Sequence, residues 1–212
     1  MSRRRPDNGA VTDASPRPAQ GATQRQHILD TALSLMSQRG VDGTSMRDLA
    51  TAAGLNVASL YHYFPSKRDL LVAVLEERGF LEQLTAATPA ALTRAPAAGL
   101  AALLDDMLQS MLEVEDFIRL MLGEVIRGDV TAFAVGSELF AATQASLERW
   151  LAESAPELCE GAGAPAAARM LRATLIGLFF EHVAGVMEGD DDPATAFRKR
   201  AEEVAAVLRS GG

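Results

Sequence analysis

Tyr61, His62 and Tyr63 stand in succession, with Arg47 shortly before them and Lys67 shortly after. Phenol, imidazole, guanidinium and ammonium groups gathered on one short segment suit contact with a polyanion. Cations neutralise phosphates, hydroxyls donate to phosphate oxygens, and an arginine can give a paired hydrogen bond to guanine. The same residues do not suit catalysis, because no nucleophile is spaced against a base and no glycine-rich loop could cradle a phosphate. His27 and His182 are remote from His62, and Cys159 has no ligand spacing, so no metal site is expected. Cys159 also lies in a loop bounded by Pro and Gly with no histidine nearby. The expectation is a chain with no catalytic residues and no cofactor, and not an enzyme.

The elements that must hold these side chains are short and strongly punctuated. Ser45 with Asp48 forms a capping-box pair, and Met46, Leu49, Ala50 and Ala53 recur at the spacing of one helical face. Gly54 can close that helix in a left-handed conformation. Asn56 can cap the next helix, in which Val57, Leu60, Tyr61 and Phe64 include the inward positions. Pro65 stops it, and Ser66 with Asp69 starts another. Two short helices joined by a tight turn describe a helix-turn-helix, whose second helix is free to enter a major groove.

These residues resemble the DNA-binding domain of the TetR family of transcriptional regulators. The likeness is carried by Thr44, Arg47, Ala50, Ala53, Gly54, Ser59, Leu60, Tyr61, Tyr63, Phe64, Ser66, Lys67 and Leu70, with Ile28 to Ala32 and Gly40 upstream. It covers residues 24 to 80. By that resemblance Tyr61 and Lys67 contact phosphates. Thr44 and Arg47 lie along the groove edge, with Arg47 the candidate for a guanine contact. Asn56, Val57, Ala58, Ser59, His62 and Tyr63 face base edges, where Val57 and Ala58 suit a thymine methyl. Tyr61 and Tyr63 as mere core padding is the less favoured reading, since so short a helix cannot bury so many rings.

Charge agrees with this division. The chain carries −8 overall. Through residue 68 nine basic and five acidic residues give +4, so the remainder carries −12. Phosphate binding draws on local charge, and the whole-chain value misleads. Arg3, Arg4 and Arg5 belong to a segment, 1–22, with no apolar periodicity, which reads as a disordered basic tail. Its arginines are read as a solvated tail in preference to a minor-groove arm. Pro6 to Gly9 follow them where a signal peptide would need an apolar run. No apolar stretch approaches the ~18 residues that span a bilayer. With one cysteine, a cytoplasmic location without membrane association is expected.

Residues 23–68 are assigned to the helix-turn-helix domain and 69–212 to a ligand-binding and dimerisation domain. Thr23 with Gln26 is expected to cap the first helix, which runs to Arg39. A helix from Ser66 should run to about Leu84, and Pro89 and Pro96 bracket a connection. Helical patterns follow over 97–113, 115–127, 131–155, 165–188 and 193–209, so the fold class is all-α with about nine helices. The family resemblance implies a homodimer through the last two helices. Leu171, Leu175, Leu178, Phe179, His182, Val183 and Val186 offer one surface for it; Phe197, Ala201, Val204, Ala205 and Leu208 offer the other. Symmetry points the same way, because two half-sites of a palindromic double-stranded operator require two reading heads.

Met107, Met111, Phe117, Met121, Phe133, Trp150 and Phe179 are the flexible and aromatic residues suited to line a pocket, with His182 as a polar contact. Few basic residues fall at inward positions, so the expected small-molecule effector is apolar or amphipathic. Arg119 and Glu124 are equally suited to the surface. The function expected is a transcriptional regulator, a repressor released from its operator by that molecule. The alternative is a DNA-bound regulator or architectural protein controlled by a protein partner with no small-molecule effector.

Overall fold

In the computed structural model, residues 18–77, 99–186 and 192–210 are described, and all secondary structure among them is helical. The helices are α1 (Pro18–Arg39), α2 (Met46–Ala52), α3 (Val57–Tyr63), α4 (Lys67–Glu77), α5 (99–113), α6 (Glu115–Ile126), α7 (Val130–Ser154), α8 (Ala164–Val183) and α9 (Pro193–Ser210). A short 3-10 turn, Pro156–Cys159, joins α7 to the loop before α8. The tail through residue 17, the region around Leu84, Pro89 and Pro96, and the side chain of Leu208 lie outside the described residues.

The first helix departs from expectation. It begins at Pro18, so Thr23 and Gln26 lie within it and do not cap it, and residues 18–22 are helical. Proline is tolerated in a first turn because its missing amide hydrogen would have no helical partner there. Ile28, Leu29, Ala32, Leu33 and Met36 then bury one face of α1.

α8 also ends before the pattern suggested. The apolar run continues past Val183, yet Gly185 takes φ +67, and its amide donates to the His182 carbonyl at 3.0 Å. The Val186 amide donates to the Glu181 carbonyl at 3.0 Å. This left-handed glycine closure satisfies the last carbonyls and leaves Val186 exposed.

Four helices, α5 to α8, enclose the larger core, with Leu103, Leu104, Leu108, Phe117, Leu147, Leu151, Leu175 and Phe179 buried in it. Phe197, Ala201 and Ala205 of α9 are fully buried against the chain itself. That corrects the assignment of Leu171, Leu175, Leu178, Phe179, Phe197, Ala201 and Ala205 to a surface between subunits: these residues pack internally. The apolar side chains exposed on α8 and α9 are others, among them Met170, Phe180 and Val207.

Polar contacts tie α1 and α4 to this core. The Ser37 hydroxyl donates to Asp116 Oδ1 at 2.8 Å, linking α1 to α6. Arg68, in the first turn of α4, forms an ion pair with Asp129 and donates to Thr131 Oγ1 at 3.0 Å. Asp129 is itself the cap of α7, accepting from the amides of Thr131 and Ala132. The Arg127 guanidinium lies close over Gly40 and Gly123, where an added methyl would meet it at 3.2 and 3.1 Å. It also pairs with the buried Glu124 at 2.7 Å.

Candidate DNA interface and ligand cavity

α2 and α3 have seven residues each, too few to hold together alone. Side-chain caps supply what length does not. The Ser45 amide donates to Asp48 Oδ2 at 3.0 Å, and the Asp48 amide donates back to Ser45 Oγ at 3.1 Å. Hydrogen bonds from the Ser45 hydroxyl and amide hold the Asp48 carboxyl below its ordinary pKa. Gly54 closes α2 at φ +67, as its position suggested. Asn56 Oδ1 then accepts from the Ser59 amide at 2.7 Å, and the Ser66–Asp69 pair opens α4. Leu60 and Phe64 fix α3 inward, and the Arg25 guanidinium sits 4.8 Å from the centre of the Phe64 ring.

The outward side of this unit carries most of the expected contact residues. Arg47, Asn56, Ala58, Tyr61 and His62 are exposed, Tyr61 by 46%. Val57, Ser59 and Tyr63 are half-buried, with the Tyr63 ring edge-on to His62 at 5.8 Å. Thr44 is different. Its side chain is buried, and its hydroxyl donates to the Gly40 carbonyl at 2.9 Å, closing the connection between α1 and α2. Its side chain is therefore unavailable at the groove edge. Lys67 is partly committed too, donating to the carbonyls of Val41 at 2.7 Å and Thr44 at 3.1 Å. An ammonium has three donors, so one remains for an outside acceptor.

Residues 28–74 match the model of the bacterial regulatory proteins of the tetR family. The match covers this segment alone, and through it the chain is similar to the TetR family. It is 44% identical over 61 residues to the transcriptional repressor KstR2 of Rhodococcus jostii, covering 29% of each chain. It is 48% identical over 52 residues to the transcriptional regulator AcrR of Shigella flexneri, covering 24% of each. These sequence matches span less than a third of either relative. In fold the likeness extends further. The structure of the ketosteroid transcriptional regulator KstR2 of Mycobacterium tuberculosis superposes with a TM-score of 0.66 at 21% identity, over 89% of this chain and 94% of that one.

Behind the TetR-type domain, α5 to α8 leave an apolar cavity of about 80 Å³. Each helix presents one face to it. α5 contributes Met107, Ser110 and Met111; α6 contributes Ile118, Met121 and Leu122; α7 contributes Leu139, Phe140 and Thr143. α8 supplies Arg172, Leu175, Ile176 and Phe179.

Of the expected lining residues, Met107, Met111, Met121 and Phe179 are there, and four are not. Phe133 is 63% exposed, because Ala132 and Val135 take the inward positions of that turn of α7. Phe117 is fully buried in the core away from the cavity wall. Trp150 is buried near the far end of α7, its ring N–H without a partner among the described residues.

His182 faces another set of neighbours. Its Nε2 lies 3.1 Å from Glu115 Oε2, and its ring packs edge-on to Phe197 at 5.4 Å. Burial alone would raise the Glu115 pKa, but hydrogen bonds from His182 and Arg119 outweigh it and hold that carboxyl below its ordinary value.

Arg172, Phe140 and Thr143 were missed. For Arg172 a signal existed, since it stands at i, i+3, i+4, i+7 spacing with Leu175, Ile176 and Phe179. For Phe140 and Thr143 none did, because which side of a long apolar helix turns inward depends on its neighbours.

Proposed function

We propose that the chain is a DNA-binding transcriptional repressor that a small molecule releases from its operator. One observation carries this reading. A capped helix, a glycine turn and a second capped helix present Arg47, Ala58, Tyr61 and His62 outward while Leu60 and Phe64 anchor the unit. A surface of this kind fits a major groove, with Tyr61 and Lys67 on phosphates and Arg47, Asn56, Val57, Ala58, Ser59, His62 and Tyr63 toward base edges. Thr44 contributes by shaping the connection that Lys67 grips. The relatives named as repressor and regulator support the same role.

The division into a reading domain through residue 68 and a body from 69 falls within the first turn of α4, which serves both. A homodimer is the form in which two reading heads meet a palindromic site. Met170, Ala173, Gly177 and Phe180 recur along one exposed side of α8, and Val207 is exposed on α9, which supports pairing there. The cavity supports the effector reading. Its walls α6 and α7 are the helices that Ser37 and Arg68 tie to α1 and α4. A coupling of ~1–3 kcal/mol through those ties would change operator affinity about 5–150-fold.

The test is selection of DNA from a random pool by the full-length chain, then a salt-controlled gel shift on the selected site. Two half-sites separated by whole helical turns are expected. Absence of any sequence preference would overturn the assignment.

A further inference from the structure

The cavity has one charged wall residue, and its surroundings say what it could hold. Arg172, Leu175, Ile176 and Phe179 occupy a single face of α8, and all four line the cavity. Arg172 is half-buried there and places a guanidinium on the rim of an otherwise apolar wall. The exposed stripe of the same helix, represented by Met170 and Phe180, lies on another side. Arg172 is also held in place: Nη1 donates to the Phe140 carbonyl at 3.1 Å, and the guanidinium carbon lies 5.4 Å from the Phe140 ring centre. Among the described residues no carboxylate pairs with it, whereas Arg68, Arg119, Arg127 and Arg198 each have one. The Ser110 hydroxyl spends its proton on the Asp106 carbonyl, so it offers an anion no competing donor.

Resting on the effector reading above, we propose that the effector is a linear amphipathic monoanion, an alkyl chain ending in a carboxylate. The guanidinium fork matches the two carboxylate oxygens and leaves the Phe140 contact in place. The alkyl chain lies among Met107, Met111 and Met121. A cavity of about 80 Å³ is smaller than the ~300 Å³ at the low end of ligand pockets, so a ligand must displace side chains to enter. Unbranched methionines move aside readily, and a thin flexible chain needs the least displacement.

The experiment is calorimetric titration of the full-length protein with decanoate, decanol and decylamine, each below its aggregation concentration. Decanoate should bind at least about tenfold more tightly than decanol, a ratio equal to ~1.4 kcal/mol, and decylamine should be weakest. Arg172→Met should erase the advantage of the acid while decanol still binds. Arg172→Lys should keep part of it, and Arg169→Met, at an exposed position of the same helix, should keep all of it. Equal affinities for acid and alcohol overturn the proposal, as does an undiminished preference in Arg172→Met. Failure of all three probes to bind overturns it as well. Should Arg172→Met not fold, the three-ligand comparison on the unmodified chain and the lysine variant still decide the matter. DNA selection by the same protein uses none of these ligands, so loss of this proposal and loss of the regulator reading are separate results.

Discussion

The α2–α3 unit and the α5–α8 cavity are the two regions to which the proposed function assigns a partner, and they are built in opposite ways. In the first, both seven-residue helices start on a side-chain cap, Ser45 with Asp48 and Asn56 with the Ser59 amide, and Ser66 with Asp69 opens the helix after them. In the second, α6 and α8 start without any side-chain cap, and three of the walls' side chains are methionines. A duplex groove has a fixed width, and a stiff insert meets it without paying ordering entropy at the moment of contact. A small molecule entering a cavity smaller than itself needs walls that yield. Stiffness and compliance are thus assigned to different helices of one chain.

Five substitutions sharpen or break that contrast. Leu60→Ala should cost ~2–5 kcal/mol, because a fully buried anchor in a tightly specified unit leaves a cavity that cannot collapse. Met121→Leu in the cavity wall should cost less than about 1.5 kcal/mol. Urea unfolding of both variants measures the difference, and similar losses would remove the contrast.

Tyr61→Ala comes next. It should weaken operator binding about 100-fold, near ~2.7 kcal/mol, without lowering the unfolding midpoint, since Tyr61 is half exposed. Gel shifts at fixed salt beside thermal melts would check both halves, and wild-type affinity would remove Tyr61 from the interface.

Ser45→Ala removes one arm of the capping box and should cost ~1 kcal/mol. Hydrogen exchange of the α2 amides should quicken locally, and uniform protection would show that the cap is dispensable.

The smallest effect belongs to the body. Glu115 has a lowered folded-state pKa, so its contribution is present above the ordinary carboxylate value and is lost as pH falls through the folded value. Glu115→Gln should therefore destabilise by a few tenths to ~1 kcal/mol at pH 6, and the gap to wild type should close on acidification. Unfolding midpoints between about pH 6 and pH 3 test the sign; a gap that widens toward acid would contradict it.

The same contrast explains what could be read in advance. Caps and turns are local, spanning about three residues, so Ser45, Gly54 and Asn56 announce themselves and the helix-turn-helix follows. Its interior is less legible: Thr44 turns inward and Lys67 grips two carbonyls because of how the α1–α2 connection folds over α4, which local sequence does not encode. In the body the helices were evident but their facing was not. Phe133 and Phe140 are both aromatic residues of α7, and only packing against α6 and α8 decides that Phe133 meets solvent and Phe140 meets the cavity. Arg172 broke an apolar face in plain view, yet its meaning needed Phe140 beside it.

The first turn of α4 holds one more implication. Three successive residues there look in three directions. Lys67 holds the carbonyls of Val41 and Thr44, Arg68 holds the cap of α7, and Asp69 holds Ser66. Successive side chains on a helix diverge by about 100°, so this one turn works as a junction box for three contacts. A displacement of the start of α7 would thus act, through Arg68, on the turn whose Lys67 holds the carbonyls ahead of α2. On the proposed function, the residue that faces the reading unit and the residue that faces the cavity helices are at this point joined by a single peptide bond.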